Sequence, residues 1–139
     1  MKKKTQGSFG ELLVASALVR DGWTVSFPFG ENTRYDLIAE RRGVFLRVQV
    51  KCVMPKGGAL EVNLRSCNNW SVRRYTAHEI DMIAVCDASS RNVYFLPKKE
   101  LNRSFIHLRL AAAKNGQKKF TRRAEDYADM PLDGVVSVK

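Results

Sequence analysis

Cysteine is scarce in this sequence, and its placement excludes a disulfide-stabilised fold. Three cysteines occur among 139 residues, at Cys52, Cys67 and Cys86. The number is odd, each lies in a different segment, and no Cys-x-x-Cys pair is present, so neither a disulfide framework nor a zinc knuckle is indicated. A zinc site that combined them with His78 would require distant residues to converge by chance. We therefore expect reduced thiols, in the core or at the surface.

Long apolar runs are also absent, which excludes a membrane-spanning helix. About 20 consecutive apolar residues are needed to cross a bilayer, and no segment approaches that length. The chain starts with MKKKTQGS, which is basic but has no apolar stretch behind it, so it does not resemble a secretory signal. The length is that of one ordinary domain. We expect a single domain over residues 1–139, in a cytoplasmic protein with no membrane partner.

Acidic residues are few relative to basic ones. The chain has 14 Asp and Glu against 24 Lys and Arg, which gives a formal net charge of +10 and a pI of about 9.9. An excess of this size on a small domain is typical of proteins that bind nucleic acid. The alternatives are a basic protein with no polyanionic partner and a protein that binds anionic membranes. Because no basic amphipathic helix with an aromatic face is visible, the charge favours nucleic acid.

Hydrophobic periodicity predicts one helix followed mainly by strands. Apolar or small residues recur at helical spacing in SFGELLVASALVR, and Asp21-Gly22 ends the run. Residues 35–40 and 44–53 alternate as two strands around a tight Arg41-Arg42-Gly43 turn, which predicts a β-hairpin. Further predicted elements are strands over residues 23–27, 59–64, 80–85, 92–96 and 105–110, a basic loop over 114–123 and a short helix over 124–128. This order predicts an α/β (α+β) fold with the N-terminal helix packed on a central mixed β-sheet.

Polar residues follow one face of the second hairpin strand. With a period of two, Arg47, Gln49 and Lys51 point to one side, while the aliphatic residues between them point to the other. Asp36 stands at the start of the preceding strand, and hairpin pairing brings it near Gln49 and Lys51. An ordinary solvent-exposed strand face carries such residues as well. Their convergence with Asp36 indicates a shared site instead.

An acidic residue in the first helix, an Asp at a strand start and a (D/E)-x-K triplet on the next strand form the signature of the PD-(D/E)XK nucleases. The sequence resembles this family through Glu11 in GSFGELLVASAL, Asp36 in RYDLIAE and Gln49-Val50-Lys51 in VQVK. The resemblance extends to the later segment IDMIAVCDASSRNVYFLP, and so covers roughly the first two thirds of the chain. It implies a restriction-endonuclease-like core.

Two positions depart from the family pattern. Tyr35 replaces the Pro before the Asp, which the fold tolerates because that Pro binds no metal. Gln49 replaces the acid of the triplet, and its carbonyl oxygen can bind a hard cation but brings no charge. The Q-x-K form is similar to that of PD-(D/E)XK homing endonucleases encoded in group I introns, which also have a G-x-x-G-E helix start and a short Tyr-Asp-Leu-Ile strand. The resemblance thus implies a site-specific DNA endonuclease of the homing type.

The same resemblance implies Mg²⁺ or Mn²⁺ as the cofactor. Asp36 would bind the metal directly, and Glu11 would complete the coordination directly or through water. Gln49 and the backbone carbonyl of Val50 would supply neutral oxygens. Lys51 would hold the attacking water and stabilise the charge that builds on the phosphate.

Basic and amide side chains are candidates for DNA contact, because phosphates attract Lys and Arg, and because Arg and Asn suit base edges. Many fall in a basic C-terminal segment over about residues 103–139. The candidates are Arg41, Arg42, Arg65, Asn68, Asn69, Arg73, Arg74, Arg91, Lys114, Lys118, Lys119, Arg122 and Arg123. One active site cuts one strand, so cleavage of double-stranded DNA implies a homo-oligomer, either a dimer or a dimer of dimers.

Other interpretations stay open. Taken alone, Glu11 fits a capping box with Ser8, in which it would bind no metal. A Holliday junction resolvase has the same fold, a basic N-terminal arm and the same helix Glu, but usually keeps an acid at the position of Gln49. A non-catalytic DNA-binding module would carry the same residues as a vestigial metal site.

Overall fold

The chain folds as one N-terminal helix followed by short strands. The computed structural model describes residues 1–30, 32–67, 72–74, 78–111 and 121–130. Helix α1 spans Lys3–Arg20. The strands within the described residues are β1 (Thr24–Ser26), β2 (Leu37–Arg41), β3 (Val44–Val53), β4 (Ala59–Asn63), β5 (Arg65–Cys67), β6 (Val72–Arg74), β7 (Met82–Asp87), β8 (Val93–Pro97), β9 (Phe105–Arg109) and β10 (Thr121–Arg123). Short 3₁₀ helices lie at Lys98–Asn102 and Ala124–Tyr127.

Helix α1 buries one narrow face. Gly10, Val14 and Leu18 recur every four residues and are all buried, a spacing that places them on one side of the helix. The helix ends before Gly22, whose φ is 91°, and the amide of Trp23 donates to the carbonyl of Leu18 at 2.9 Å. A glycine in the left-handed conformation just past the last turn is a common helix end, so the predicted stop is confirmed.

The start of α1 lies well before Ser8. The N-cap residue is Lys2, and no side chain caps the helix. Ser8 is inside the helix, where its hydroxyl donates to the carbonyl of Lys4 at 3.3 Å, a bond back to the preceding turn. The interpretation of Ser8 and Glu11 as a capping box is therefore wrong, because Glu11 lies too far along the helix to accept from the N-cap amide.

A five-stranded sheet with the order β1-β2-β3-β7-β8 forms the middle layer. β2 and β3 make the predicted hairpin, and Arg42 and Gly43 at its turn have φ values of 54° and 78°. Both lie in the left-handed region that a two-residue hairpin turn requires. β3 runs parallel to β7, whereas the other neighbouring strands are antiparallel. The predicted mixed sheet, with the N-terminal helix packed on it, is confirmed.

Apolar residues on both faces of this sheet form two cores. The first core joins α1 to the sheet through residues such as Val14 and Val48. The second joins the opposite face to a three-stranded sheet, β10-β9-β4, through residues such as Leu60 and Ile83. Strand β7 is buried along its whole length because both of its faces are covered. The layers are therefore helix, five-stranded sheet and three-stranded sheet.

The end of the predicted basic loop is a strand. Residues 121–123 form β10, which pairs in parallel with β9, whereas residues 114–120 lie outside the described residues. The predicted short helix that follows is confirmed as the 3₁₀ helix Ala124–Tyr127. Among the helices described, none combines the length and the apolar character that crossing a bilayer demands.

Candidate active site

Asp36 lies directly before β2 and is bound to the middle of β3. Its amide donates to the carbonyl of Val48 at 2.8 Å, and its carboxylate Oδ2 accepts from the amide of Val50 at 2.8 Å. The carboxylate is therefore held by the backbone of β3. This pairing brings Asp36 to the triplet that contains Gln49 and Lys51.

Glu11 reaches the same region from α1. The preceding residue, Gly10, packs so closely on β3 that a Cβ atom there would lie 2.8 Å from the Cβ of Cys52. One turn earlier, the Gln6 side chain donates to the carbonyl of Cys52 at 3.1 Å. These contacts hold this part of the helix against β3. Glu11 and Asp36 line one cleft of about 260 Å³, the acidic cleft.

The ionisable groups of the cleft are electrostatically coupled. Burial and the neighbouring Asp36 carboxylate raise the pKa of Glu11. Burial also raises the pKa of Asp36, although the hydrogen bond from Val50 and the Lys51 ammonium oppose this effect. Burial lowers the pKa of Lys51. The Asp36 carboxylate opposes this lowering, and the positive charge of Arg34 adds to it. Two partly buried carboxylates that resist ionisation are typical of a site that gains from a bound cation.

Neutral oxygens accompany the two carboxylates. The side-chain Nε2 of Gln49 lies 3.4 Å from the carbonyl oxygen of Val50. A 180° rotation of this amide exchanges its nitrogen and oxygen, and would place a Gln49 oxygen beside that of Val50. The ammonium of Lys51 donates to the carbonyl of Arg65, the first residue of β5, at 3.2 Å. Strand β5 thus orients Lys51 within the site.

The donor set fits a hard divalent cation. In the described part of the chain, no three His, Cys, Asp or Glu side chains gather where they could hold a metal ion. A cation would therefore be bound by the carboxylates of Glu11 and Asp36 together with the neutral oxygens of Gln49 and Val50. Mg²⁺ prefers oxygen ligands of this kind, whereas structural zinc takes mainly nitrogen and sulfur.

A known protein family matches most of this chain. A family model described as PD-(D/E)XK endonuclease matches residues 1–130. The chain belongs to the PD-(D/E)XK endonuclease family. It is therefore a nuclease, with DNA as its substrate class, in a family that generally uses divalent metal ions.

A solved structure has the same fold as this PD-(D/E)XK endonuclease. It is that of a bacterial homing endonuclease, I-Ssp6803I, with a TM-score of 0.72 and 24% sequence identity, covering 91% of this chain and 88% of that chain. The predicted restriction-endonuclease-like α/β (α+β) core is confirmed. A search of curated proteins finds no match.

The predicted DNA-binding residues of the nuclease lie on several surfaces. Arg41 and Arg42 are at the β2–β3 turn, at the end of β2 away from the acidic cleft, and the Arg41 guanidinium lies 5.7 Å from the ring centroid of Trp23. Arg91 lies over the ring of Phe9, at 5.9 Å from its centroid. The fold therefore does not gather these cations into the cleft of Glu11 and Asp36.

Other candidates bond to neighbouring side chains. The amide and Nε of Arg65 donate to Asn63 Oδ1 at 3.0 and 3.2 Å. The Nε atom of Arg122 lies 3.9 Å from Oε1 of Glu100, and Arg123 forms an ion pair with Glu125 of the following 3₁₀ helix. Arg73 and Arg74 lie in β6. Outside the described residues lie Asn68, Asn69, Lys114, Lys118 and Lys119.

Sequence reasoning missed Gly10 and Arg34. Glycine inside a helix costs about 1 kcal/mol relative to alanine, so its presence is a signal of close backbone approach that was available in the sequence. Arg34 pairs with Glu79, and its charge contributes to the lowered pKa of Lys51. That contact joins segments far apart in the chain, and no local pattern indicates it.

Proposed function

We propose that the protein is a Mg²⁺-dependent, site-specific endonuclease of the homing type that hydrolyses phosphodiester bonds in double-stranded DNA. The single observation that carries the proposal is the convergence of Glu11, Asp36 and Lys51 at the β2–β3 pair. The net charge of +10 supports a polyanionic duplex as the substrate. The Q-x-K triplet and the likeness in fold to a bacterial homing endonuclease support the homing type.

Each group has a defined part in hydrolysis. Mg²⁺, held by the oxygens of Glu11, Asp36, Gln49 and Val50, would supply Lewis-acid stabilisation and a more acidic water. Asp36 is fixed by the β3 backbone before substrate arrives, so its charge is preorganised. Lys51 Nζ donates to the attacking water and to a phosphate oxygen, where its charge stabilises the transition state.

Cleavage of both strands requires a second active site. The described residues of one chain form one such cleft, so we propose a homo-oligomer in which a two-fold axis relates two clefts across the duplex. A long recognition site would favour a dimer of dimers.

The test compares the wild type with the Lys51→Ala variant. Both are incubated with Mg²⁺ and either a randomised duplex library or a four-way junction, and the cut ends are sequenced. We expect discrete cuts in one duplex motif, a loss of about 10²–10³-fold in turnover for Lys51→Ala, and retained DNA binding, because Lys51 contacts one phosphate among many. EDTA should abolish cutting.

The matched control is Lys99→Ala, at an exposed lysine that follows the C-terminal end of β8 and lies outside the residues that line the cleft. It removes the same charge and should cut like the wild type. Cutting of the junction alone would contradict the proposal and identify a resolvase. Salt-sensitive binding without any cutting by the wild type would also contradict it and identify a non-catalytic DNA-binding module.

A further inference from the structure

An aromatic segment forms one edge of the acidic cleft. β1 and β2 are antiparallel, and the last residue of β1 pairs with the second residue of β2. The chain that leaves β1 therefore leads towards Asp36, which directly precedes β2. Phe27, Pro28 and Gly30 line the acidic cleft together with Asp36. We call residues 27–30 the rim segment, because they stand at the edge of the proposed active site.

Two phenylalanine rings of the rim segment are exposed. Phe29 is fully exposed and Phe27 is 54% exposed, although a phenylalanine ring gains free energy when it leaves water. Single exposed apolar residues are common on protein surfaces, and Phe45 near the β2–β3 turn is one of them. The rim segment differs, because it carries two such rings, one residue apart, beside a cleft. Clustered apolar surface of this kind is typical of a binding site.

The backbone of the rim segment favours a fixed position for Phe29. The ring of Pro28 restricts its own φ and favours an extended conformation at the residue before it. Gly30 has a φ of 116°, which side chains rarely permit, so the chain turns directly after Phe29. Because Pro28 limits the conformations of the free segment, holding the Phe29 ring against a partner costs less entropy than it would in an unrestricted loop.

The partner that arrives at this edge is the substrate of the cleft. A phosphodiester held at Glu11 and Asp36 brings its own nucleotides with it, so the bases on either side of the scissile bond lie close to the rim segment. Every base presents a flat face on which an aromatic side chain can stack, and apolar side chains can insert between neighbouring bases and separate them. The exposed ring of Phe29 therefore suits a base, whereas the carboxylate-lined cleft suits a metal-bound phosphate.

We propose that Phe29 contacts a base next to the scissile phosphodiester, inserting its ring at that base step and separating the stacked bases. This inference rests on the proposed nuclease function. The inserted ring fixes the DNA in one position relative to Glu11 and Asp36, so the cut falls at a defined step. Pyrimidine–purine steps such as TA and CA separate most easily. Phe29 thus favours cutting beside such a step and contributes to specificity without reading a base edge.

The test uses the full-length protein and the duplex that the wild type cuts fastest in the randomised library. For Phe29→Ala we expect kcat/KM to fall by about 5–150-fold, which corresponds to the loss of one base-stacking contact. Phe29→Tyr keeps a ring that can stack and should cut at close to the wild-type rate. The matched control is Phe45→Ala, which removes an exposed phenylalanine at the end of the hairpin away from the cleft and should cut like the wild type. Urea unfolding should give the wild-type free energy of unfolding for Phe29→Ala, because the ring is exposed.

A fluorescent base reports the contact directly. Duplexes that carry 2-aminopurine, whose fluorescence depends on stacking, at successive positions around the cut are titrated with protein, with Ca²⁺ in place of Mg²⁺. We expect wild type, Phe29→Tyr and Phe45→Ala to change the fluorescence at one step next to the cut, and Phe29→Ala to lose that change. Sequenced library ends should also show a weaker preference of Phe29→Ala for a pyrimidine–purine step at that position.

The outcomes separate this inference from the proposed function. If the wild type cuts and Phe29→Ala matches it in kcat/KM and in fluorescence, the role of Phe29 is overturned while the nuclease stands. If Phe29→Ala cuts more slowly but keeps the fluorescence change, the ring does not separate the bases, and the inference is again overturned. If the wild type binds DNA but cuts none, the proposed function falls, and the same scan on the most tightly bound duplex judges Phe29 alone. A fluorescence change that needs the ring then supports the base contact, and its absence overturns it.

Discussion

Gln49 is the residue at which this chain departs most from the chemistry of its family pattern. It replaces a carboxylate by a neutral amide, so the proposed cation is held by two formal negative charges, on Glu11 and Asp36. Among the described residues no further acid completes a three-carboxylate group. Metal affinity should therefore be limited by charge.

The variant Gln49→Glu tests this limit. We expect the Mg²⁺ concentration for half-maximal cutting to fall about tenfold, which corresponds to about 1.4 kcal/mol. This gain is well below the roughly 4 kcal/mol of two unit charges 4 Å apart at an effective dielectric constant of 20, because repulsion between carboxylates offsets part of it. Magnesium titrations of the cleavage rate measure the effect.

A matched control adds the same charge elsewhere. Asn92→Asp places a carboxylate at an exposed position near the start of β8 and should leave the half-maximal Mg²⁺ concentration unchanged. An unchanged value for Gln49→Glu would show that the side chain at position 49 does not contact the metal. Far-ultraviolet circular dichroism should show the same fold for both variants.

At the scale of elements, the contact between α1 and β3 positions the acidic cleft. Gly10 allows the helix backbone to approach Cys52, and Glu11 is the next residue along the chain. Any side chain at position 10 must push the helix outward. The position of Glu11 therefore depends on the absence of a side chain at its neighbour.

The variant Gly10→Ala should destabilise the fold although alanine favours helices. Its Cβ would lie 2.8 Å from the Cβ of Cys52, and overpacking of this kind costs about 1–3 kcal/mol. Gly7→Ala is the matched control, because nothing lies within 4 Å of a Cβ at that position, and it should stabilise by about 0.5–1 kcal/mol. Urea unfolding measures the free energy of unfolding of both variants.

Equal effects of the two substitutions would contradict the close contact between Gly10 and Cys52. A lower cleavage rate for folded Gly10→Ala would show that Glu11 is displaced.

Elements formed by local interactions could be predicted from the sequence, and those formed by distant ones could not. The β2–β3 hairpin follows from alternation around Arg42-Gly43, and Asp36 meets Gln49 and Lys51 because the same turn sets the register. The second sheet depends on β4 pairing with β9 and β9 with β10, which no local pattern encodes. The early start of α1 was missed because Lys3 and its neighbours are exposed and show no apolar period.

At the scale of the whole molecule, the described residues form one proposed active-site cleft, whereas a DNA duplex has two strands. The charge of +10 draws the duplex to the surface without specifying a strand, and the proposed site of Glu11, Asp36 and Lys51 would hydrolyse one phosphodiester at a time. The antiparallel strands of DNA are related by two-fold axes, so a symmetric pair of chains presents one cleft to each strand. Whether one or both DNA strands are cut would then depend on how many active clefts the assembly contains.

Assemblies with one active and one inactive chain should nick DNA and not cut through it. Wild-type and Lys51→Ala chains with different affinity tags are produced together, and mixed assemblies are isolated through both tags. Under single-turnover conditions with supercoiled plasmid that contains the target site, we expect wild-type assemblies to yield linear DNA and mixed dimers to yield nicked circles. Linear product at the wild-type rate from the mixed assemblies would mean that one cleft cuts both strands in turn, and would remove the need for a symmetric partner.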